Sequence, residues 1–186
     1  SQHGHRNKFL SYSCYKKRIL SCVRIGTNVM LTRIEAAELV STWHSAGDKV
    51  VFTNGCFDLL HRGHIEYLQS AAALGDKLII GLNSDNSVKK LKGNGRPLQS
   101  AVDRTAILQA LAVVDAVVVF DEETPAELIA ELQPDVLVKG GDYQEEDIVG
   151  RETVLAKGGE IKIIPYVEGT STSNIISSIL ASKSLD

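Results

Sequence analysis

Short apolar runs alternate with segments of helical periodicity from residue 32 onward, and this alternation limits the possible folds most strongly. Five runs rich in Val, Ile and Leu predict buried strands at residues 49–53, 77–82, 116–120, 135–138 and 160–164. A helix follows each run, and another precedes the first, starting at a capping box of Thr32 and Glu35. Apolar strands separated by helices are typical of a parallel sheet covered on both faces. We therefore expect a single α/β domain with a doubly wound, five-stranded parallel sheet in residues 30–186.

Charge is divided unevenly along the 186 residues. Residues 1–29 contain six Lys or Arg and no acid, whereas residues 30–186 hold 14 basic and 23 acidic residues, a formal charge of -9. We expect this basic leader to be vector-derived or without ordered structure, with a transit peptide as the alternative. The acidic body is a poor candidate for coating nucleic acid, and no apolar run is long enough to span a membrane. The three cysteines show neither an even-numbered disulfide framework nor the spacing of a metal finger. This favours a reducing compartment, the cytoplasm.

The segment directly after the first predicted strand, residues 53–64, contains two histidines at H-x-G-H spacing. His61 and His64 lie where a helix begins, and the free N–H groups at a helix N-terminus favour an anion. Imidazole donors can also follow charge onto phosphate oxygens in a transition state. Gly55 and Gly63 lack the side chains that would block close approach of phosphate to the backbone. One histidine here would more often be a cap or a surface residue, but the pair favours phosphate chemistry.

This segment resembles the cytidylyltransferase-like nucleotidyltransferase superfamily, whose pattern (T/S)-x-G-x-F-D-x-x-H-x-G-H it matches throughout. The resemblance implies a Rossmann-like nucleotidyltransferase fold, with His61 and His64 as catalytic residues. It also implies that the nucleotide is contacted by Asn54, Gly55, Cys56, Phe57 and Gly63. Class I aminoacyl-tRNA synthetases have a related H-I-G-H motif, but they are longer and carry a K-M-S-K-like loop that this sequence lacks.

A Lys- and Gly-rich stretch follows the second predicted strand, at residues 89–96. A flexible basic loop in this place is suited to closing on a triphosphate or a sugar phosphate. We expect substrate phosphates to contact Lys89, Lys92 and Arg96, the alternative being a solvated loop. Arg104 is expected to contact the acceptor phosphate, or else to pair with Asp103.

Two further motifs follow the fourth and fifth predicted strands. Lys139 can reach a phosphate and Asp142 a ribose hydroxyl, while Gly140 allows a tight turn. The string K-G-G-D-Y resembles the nucleotide-contacting segment of bacterial heptose-phosphate adenylyltransferases, which implies a catalytic role for Lys139. Hydroxyls at the start of the last helix can cap it and donate to phosphates. By the same resemblance, the nucleotide's phosphates are held by Ser171, Thr172 and Ser173.

The resemblance spans about residues 32–180 and implies transfer of AMP from ATP to D-glycero-β-D-manno-heptose 1-phosphate. The products would be ADP-heptose, for the lipopolysaccharide core, and pyrophosphate. Mg²⁺ would enter with ATP, and Asp58 is either a turn residue or a ligand of that ion. A homo-oligomer and a separate sugar kinase are further expectations. Two alternatives stay open: a cytidylyltransferase making CDP-glycerol or a similar CDP-alcohol, and a nucleotide-binding module without turnover. Such cytidylyltransferases carry an R-T-x-G-I-S-T-T stretch, whereas this chain has Val167-Glu168 before its Gly-Thr-Ser-Thr-Ser.

Overall fold

The computed structural model describes residues 30–141, 143–165 and 171–183. Its centre is one sheet of five parallel strands: β1 (Val50–Gly55), β2 (Lys77–Asn83), β3 (Ala116–Phe120), β4 (Val136–Gly140) and β5 (Glu160–Ile164). The strand order is β3-β2-β1-β4-β5. The predicted doubly wound α/β fold is therefore confirmed. The predicted leader, residues 1–29, lies outside the described residues, as does Asp142.

Seven α-helices lie in the described parts of the chain. They are α1 (Arg33–Ser45), α2 (Arg62–Ala72), α3 (Asp85–Lys92), α4 (Ala101–Gln109), α5 (Ala126–Leu132), α6 (Arg151–Ala156) and α7 (Thr172–Lys183). The capping box expected at the start of α1 is present, with the Thr32 side chain accepting from the Glu35 N–H and Glu35 accepting from the Thr32 N–H. None of the described helices is both long enough and apolar enough to cross a bilayer.

The helices cover the sheet with one apolar cluster on each face. On one face, Phe52 and Ile79 of the sheet pack in a cluster with residues of α1, α5 and α6, including Val40, Ile129 and Val154. On the other face, Val51 and Ile80 belong to a cluster with Leu68 and Ala71 of α2 and Leu108 of α4. The strand residues of both clusters are almost inaccessible to water, which accounts for the continuous apolar runs in the sequence.

Successive strands are added first on one side of β1 and then on the other. From β1 the chain winds outward through β2 to β3, and it then returns to place β4 on the other side of β1. Helices that follow β1 and β4 therefore leave the sheet toward opposite faces and open a crevice beyond the carboxyl ends of these strands. In doubly wound sheets this switch point is where ligands bind.

Candidate active site

A cavity of about 560 Å³ lies at this switch point. The end of β1 and the start of α2 form one wall, and the end of β4 and the start of α7 form the others. Most of the residues singled out in the sequence line it: Asn54, Gly55, Cys56, Phe57, Asp58, His61, Gly63, His64, Lys92, Lys139, Gly140, Ser171, Thr172 and Ser173. Segments far apart in the chain thus meet around one space of the size that small-molecule sites have.

The loop between β1 and α2 is shaped by Phe57. Its backbone has a positive φ of 44°, which is rare for a bulky residue and marks a held conformation. The ring packs against Gly55, where an added Cβ would lie 3.0 Å from the ring atom Cε2. The ring centroid is also 5.5 Å from that of His64. Gly55 is therefore required for the close approach of this ring, and the ring in turn forms one side of the histidine site.

The two histidines stack on each other at the mouth of α2. Their ring centroids are 3.9 Å apart and the planes are inclined by 29°. His61 is the residue that precedes the first turn, and its side chain does not cap the helix. Both Nδ1 atoms are shielded from water and have no hydrogen-bond partner within the described part of the chain. The imidazoles are therefore held next to each other with polar atoms that a ligand can satisfy.

Burial lowers the pKa of both imidazoles. The pKa of His64 falls to about 4, chiefly through burial and then through the positive charges of His61 and Lys92. Burial alone lowers the pKa of His61. Both rings are thus uncharged at pH 7, and each can donate one N–H hydrogen bond. A bound anion would counteract these causes, because a nearby negative charge favours the protonated ring.

Lys139 approaches the same cavity from the end of β4. Its Nζ donates a hydrogen bond to Oδ1 of Asn54, at the end of β1. Burial lowers the pKa of Lys139 to about 8, so the ammonium is mostly charged at pH 7 but has lost much of its hydration. A partly desolvated cation with one neutral partner is well suited to receive a phosphate oxygen.

The start of α7 is tied to the loop after β1. Thr172 donates its hydroxyl to the Leu59 carbonyl at 3.2 Å, and the Ser171 hydroxyl accepts from the Asn174 N–H at 3.0 Å. Ser173 is exposed on the cavity wall. These bonds bring the hydroxyl-rich helix start beside the histidine motif, although more than 100 residues separate the two in sequence.

Lys92 and Lys89, both expected on substrate phosphates, occupy different places. Lys92 lines the cavity near His64, whose pKa it helps to lower. Lys89 lies one turn earlier on α3 and lines a separate concavity with Asn86 and Asp121. Lys89 is thus not among the residues that line the cavity, and its contact with a substrate phosphate stays a prediction.

Asp58 anchors the loop after α3. One oxygen accepts from Arg96 Nε at 2.6 Å, and the carboxylate also accepts the N–H groups of Leu98 and Gln99 at 2.9 Å. Burial acts to raise the pKa of Asp58, but these N–H groups and Arg96 hold it below its ordinary value. The described residues contain no group of three or more His, Cys, Asp or Glu that could hold a metal. In the ligand-free structure Asp58 and Arg96 pair with each other, while the second terminal nitrogen of Arg96 is buried without a hydrogen-bond partner among the described residues. Asp58 as an Mg²⁺ ligand and Arg96 as a phosphate ligand therefore stay predictions.

Arg104 lies beneath the cavity with its side chain 0% exposed. Its guanidinium donates to three backbone carbonyls and one carboxylate: Gln99 O at 3.0 Å, Cys56 O at 2.6 Å, Asn83 O at 2.9 Å and Asp85 Oδ1 at 2.7 Å. It therefore cannot contact an acceptor phosphate, contrary to the prediction. The alternative pairing with Asp103 is also wrong, because Asp103 instead bonds the Ser100 hydroxyl at 2.6 Å.

Sequence reasoning missed Tyr67, Tyr143 and Pro165, which also line the cavity. A signal for Tyr67 exists, because a residue three positions after His64 on one helix faces the same way. Tyr143 and Pro165 follow strands β4 and β5, and only the strand order of the sheet brings them to this crevice.

Comparisons with known proteins agree with this site. The family model described as cytidylyltransferase-like matches residues 52–179. The bifunctional protein HldE of Citrifermentans bemidjiense is 57% identical over 146 residues, which cover 78% of this chain and 30% of that protein. HldE of Syntrophotalea carbinolica is 59% identical over 134 residues, 72% of this chain and 27% of that protein. This chain thus spans about 30% of the length of these relatives.

A solved structure adds an independent likeness. The crystal structure of the lipopolysaccharide core biosynthesis protein from Thermoplasma volcanium GSS1 matches with a TM-score of 0.55 and 28% identity, covering 67% of this chain and 100% of that one. The family match includes both histidines, Lys139 and the start of α7. By its motif, its fold and these matches, the chain belongs to the cytidylyltransferase-like family.

Proposed function

We propose that this chain is an adenylyltransferase that transfers AMP from ATP to D-glycero-β-D-manno-heptose 1-phosphate, giving ADP-heptose and pyrophosphate. One observation carries the proposal: two stacked histidines, a buried lysine and a hydroxyl-rich helix start open into the same cavity. This arrangement offers many hydrogen-bond donors and few acceptors, which suits a polyphosphate.

The reaction needs no general base. The acceptor's phosphate oxygen is already anionic, so it attacks the α-phosphorus directly. A new O–P bond forms as the bond from the α-phosphorus to the bridging oxygen of pyrophosphate breaks. Catalysis then consists of positioning and of stabilising charge on the phosphoryl oxygens. His61 and His64 would donate N–H hydrogen bonds to these oxygens, and held donors of this kind cost no reorganisation during the reaction.

The cations would act on the rest of the triphosphate. Lys139 is the less exposed of the two lysines and would hold the nucleotide's phosphates, while the exposed Lys92 would draw charge toward the departing pyrophosphate. Mg²⁺ would arrive as part of the ATP complex, and Asp58 pairs with Arg96 in this structure. The protein's own residues would therefore bind the nucleotide, orient it and compensate its charge.

The choice of ATP and a heptose phosphate rests on resemblance. The string K-G-G-D-Y at residues 139–143 and the missing Arg before Gly169 both favour adenylyl over cytidylyl transfer. The similar HldE proteins are named bifunctional, and we infer that a sugar kinase supplies the acceptor. We place the reaction in the cytoplasm, in a homo-oligomer.

A substrate panel tests the assignment. Purified protein is incubated with each NTP, Mg²⁺ and a set of sugar phosphates and alcohol phosphates, and pyrophosphate release is measured. We expect ATP with the heptose 1-phosphate to give the highest kcat/KM. His44→Ala serves as a histidine control, because His44 lies on α1 and bonds Asp135, outside the cavity. That variant should keep the activity of the unchanged protein.

The panel also separates the alternatives. Preference for CTP with glycerol 3-phosphate would replace the proposal by a cytidylyltransferase. Tight ATP binding without pyrophosphate release from any acceptor would indicate a nucleotide-binding module.

A further inference from the structure

Strands β1 and β4 stop pairing before either strand ends. Their ladder contains three pairs and finishes at Thr53 and Val138. Each strand continues to pair on its other side, β1 with β2 as far as Gly55 and β4 with β5 as far as Gly140. The crevice that holds the candidate site therefore opens at one defined point of the sheet.

The hydroxyl of Tyr67 lies at this point and contacts both strands. Its oxygen is 2.6 Å from the Thr53 hydroxyl and 3.3 Å from the Val138 carbonyl oxygen. Both partners are almost inaccessible to water, which makes the loss of either hydrogen bond costly. Thr53 and Val138 are the last pair of the ladder. The tyrosine therefore joins the two strands at the point where their backbone pairing stops.

The residues next in sequence line the cavity. Asn54 follows Thr53, Lys139 follows Val138, and the two side chains bond each other across the crevice. The Tyr67 ring also lies against Gly140, where an added Cβ would be 3.0 Å from ring atom Cε2. One aromatic side chain thus contacts the residues on both sides of Lys139.

We propose that Tyr67 is a positioning residue that holds the end of β4 against β1 and thereby fixes Lys139 and Asn54 for binding the triphosphate. The role as positioning residue follows from its hydrogen bonds: the Thr53 hydroxyl can donate to the phenol, and the phenol can donate to Val138. These two hydrogen bonds tie the phenol oxygen to both strands. This inference rests on the proposed function for the nature of the ligand, but the positioning of Lys139 can be measured without any substrate.

Tyr67→Phe keeps the ring and removes only the hydroxyl. Without the link, water should reach the end of β4, and the desolvation that lowers the pKa of Lys139 should weaken. We therefore expect this pKa to rise from about 8 toward the ordinary value of 10.5. Loosening the site should also lower kcat/KM by roughly 10- to 100-fold, as small misplacements of binding groups do.

The charge of Lys139 fixes the direction in which ATP affinity should change with pH. In the unchanged protein Lys139 loses its proton near pH 8, so ATP affinity should fall above that pH. In Tyr67→Phe the lysine stays charged to higher pH, so the alkaline fall should shift upward although turnover at pH 7 is lower. A residue that only stabilised the fold would not move this titration.

The experiment combines lysine side-chain NMR titration of the ligand-free protein with ATP binding between pH 6.5 and 10. Ser70→Ala is the matched control, because this exposed hydroxyl on the same helix bonds only its own turn through Glu66 O at 2.9 Å. Thr53→Val removes the same link from the other side and should shift the Lys139 pKa in the same direction. The proposal requires the shift in Tyr67→Phe and its absence in Ser70→Ala.

An unchanged Lys139 pKa in Tyr67→Phe would overturn the inference, whatever the change in kcat/KM. If the unchanged protein binds no ATP or fails to use the heptose phosphate, the proposed function fails instead. The ligand-free titration would still decide the role of Tyr67.

Discussion

Replacing His64 by alanine is expected to lower kcat by roughly 10²- to 10³-fold, the loss seen when one held donor is removed from a developing oxyanion. His64 contributes a neutral imidazole, because burial and the neighbouring charges lower its pKa to about 4. Its N–H bond should therefore matter most when negative charge grows on the α-phosphoryl oxygens. Removing the ring should change kcat much more than the KM for ATP.

The fold should survive this substitution. His64 is only half-buried, and its Nδ1 has no partner within the described residues, so no internal hydrogen bond of that atom is lost. Thermal unfolding and ATP binding by calorimetry check that the variant is intact, with His44→Ala as the control. Turnover within threefold of the unchanged protein would remove His64 from the mechanism.

Replacing Arg104 by methionine is expected to lower the free energy of unfolding by about 3 kcal/mol, the scale on which breaking a buried ion pair destabilises a protein. The guanidinium bonds the carbonyls of Cys56, Asn83 and Gln99, and methionine leaves these acceptors without a donor. The partner carboxylate of Asp85 is 48% exposed, so water can solvate it and the loss should not be larger. Arg104→Lys should recover little of the lost free energy of unfolding, because one ammonium cannot reach all of these groups.

Arg62→Met is the matched control for this variant. Arg62 is 69% exposed and pairs only with Glu66, four residues along the same helix, so its loss should change stability by about 0.5 kcal/mol or less. Urea unfolding of both variants measures the difference. Equal midpoints for Arg104→Met and Arg62→Met would contradict the role assigned to Arg104.

The fold was predictable because β1 to β4 each contain a nearly unbroken apolar run, and helix starts or glycines bound these runs. The short β-branched run 50–53 favoured a buried strand, and the capping box at Thr32 and Glu35 marked a helix start; the structure confirms both. The position of β4 beside β1 depends on crossovers that link distant segments. The sequence predicted the parallel, doubly wound sheet through the general rules for crossovers, but it predicted no strand order.

The histidine motif was predictable because its spacing is local. Lys92 and Lys139 line the cavity as expected, but the partners of the arginines were not predictable, since a charged side chain in a sequence does not reveal its partner. Arg104 and Arg96 bond groups 48 and 38 residues away, and Lys89 lines a separate concavity. The same limit hid Tyr67, whose hydroxyl bonds two strands that only the tertiary fold brings together.

Side-chain NMR of the unchanged protein during titration with ATP and Mg²⁺ tests the shared pocket most directly. The rings of His61 and His64 and the Cε of Lys139 should shift together with one Kd, and the pKa of His64 should rise from about 4 as phosphate approaches. The His44 ring should not move. Saturating ATP that leaves both cavity histidines and Lys139 unperturbed would contradict a triphosphate site at the crevice between β1 and β4.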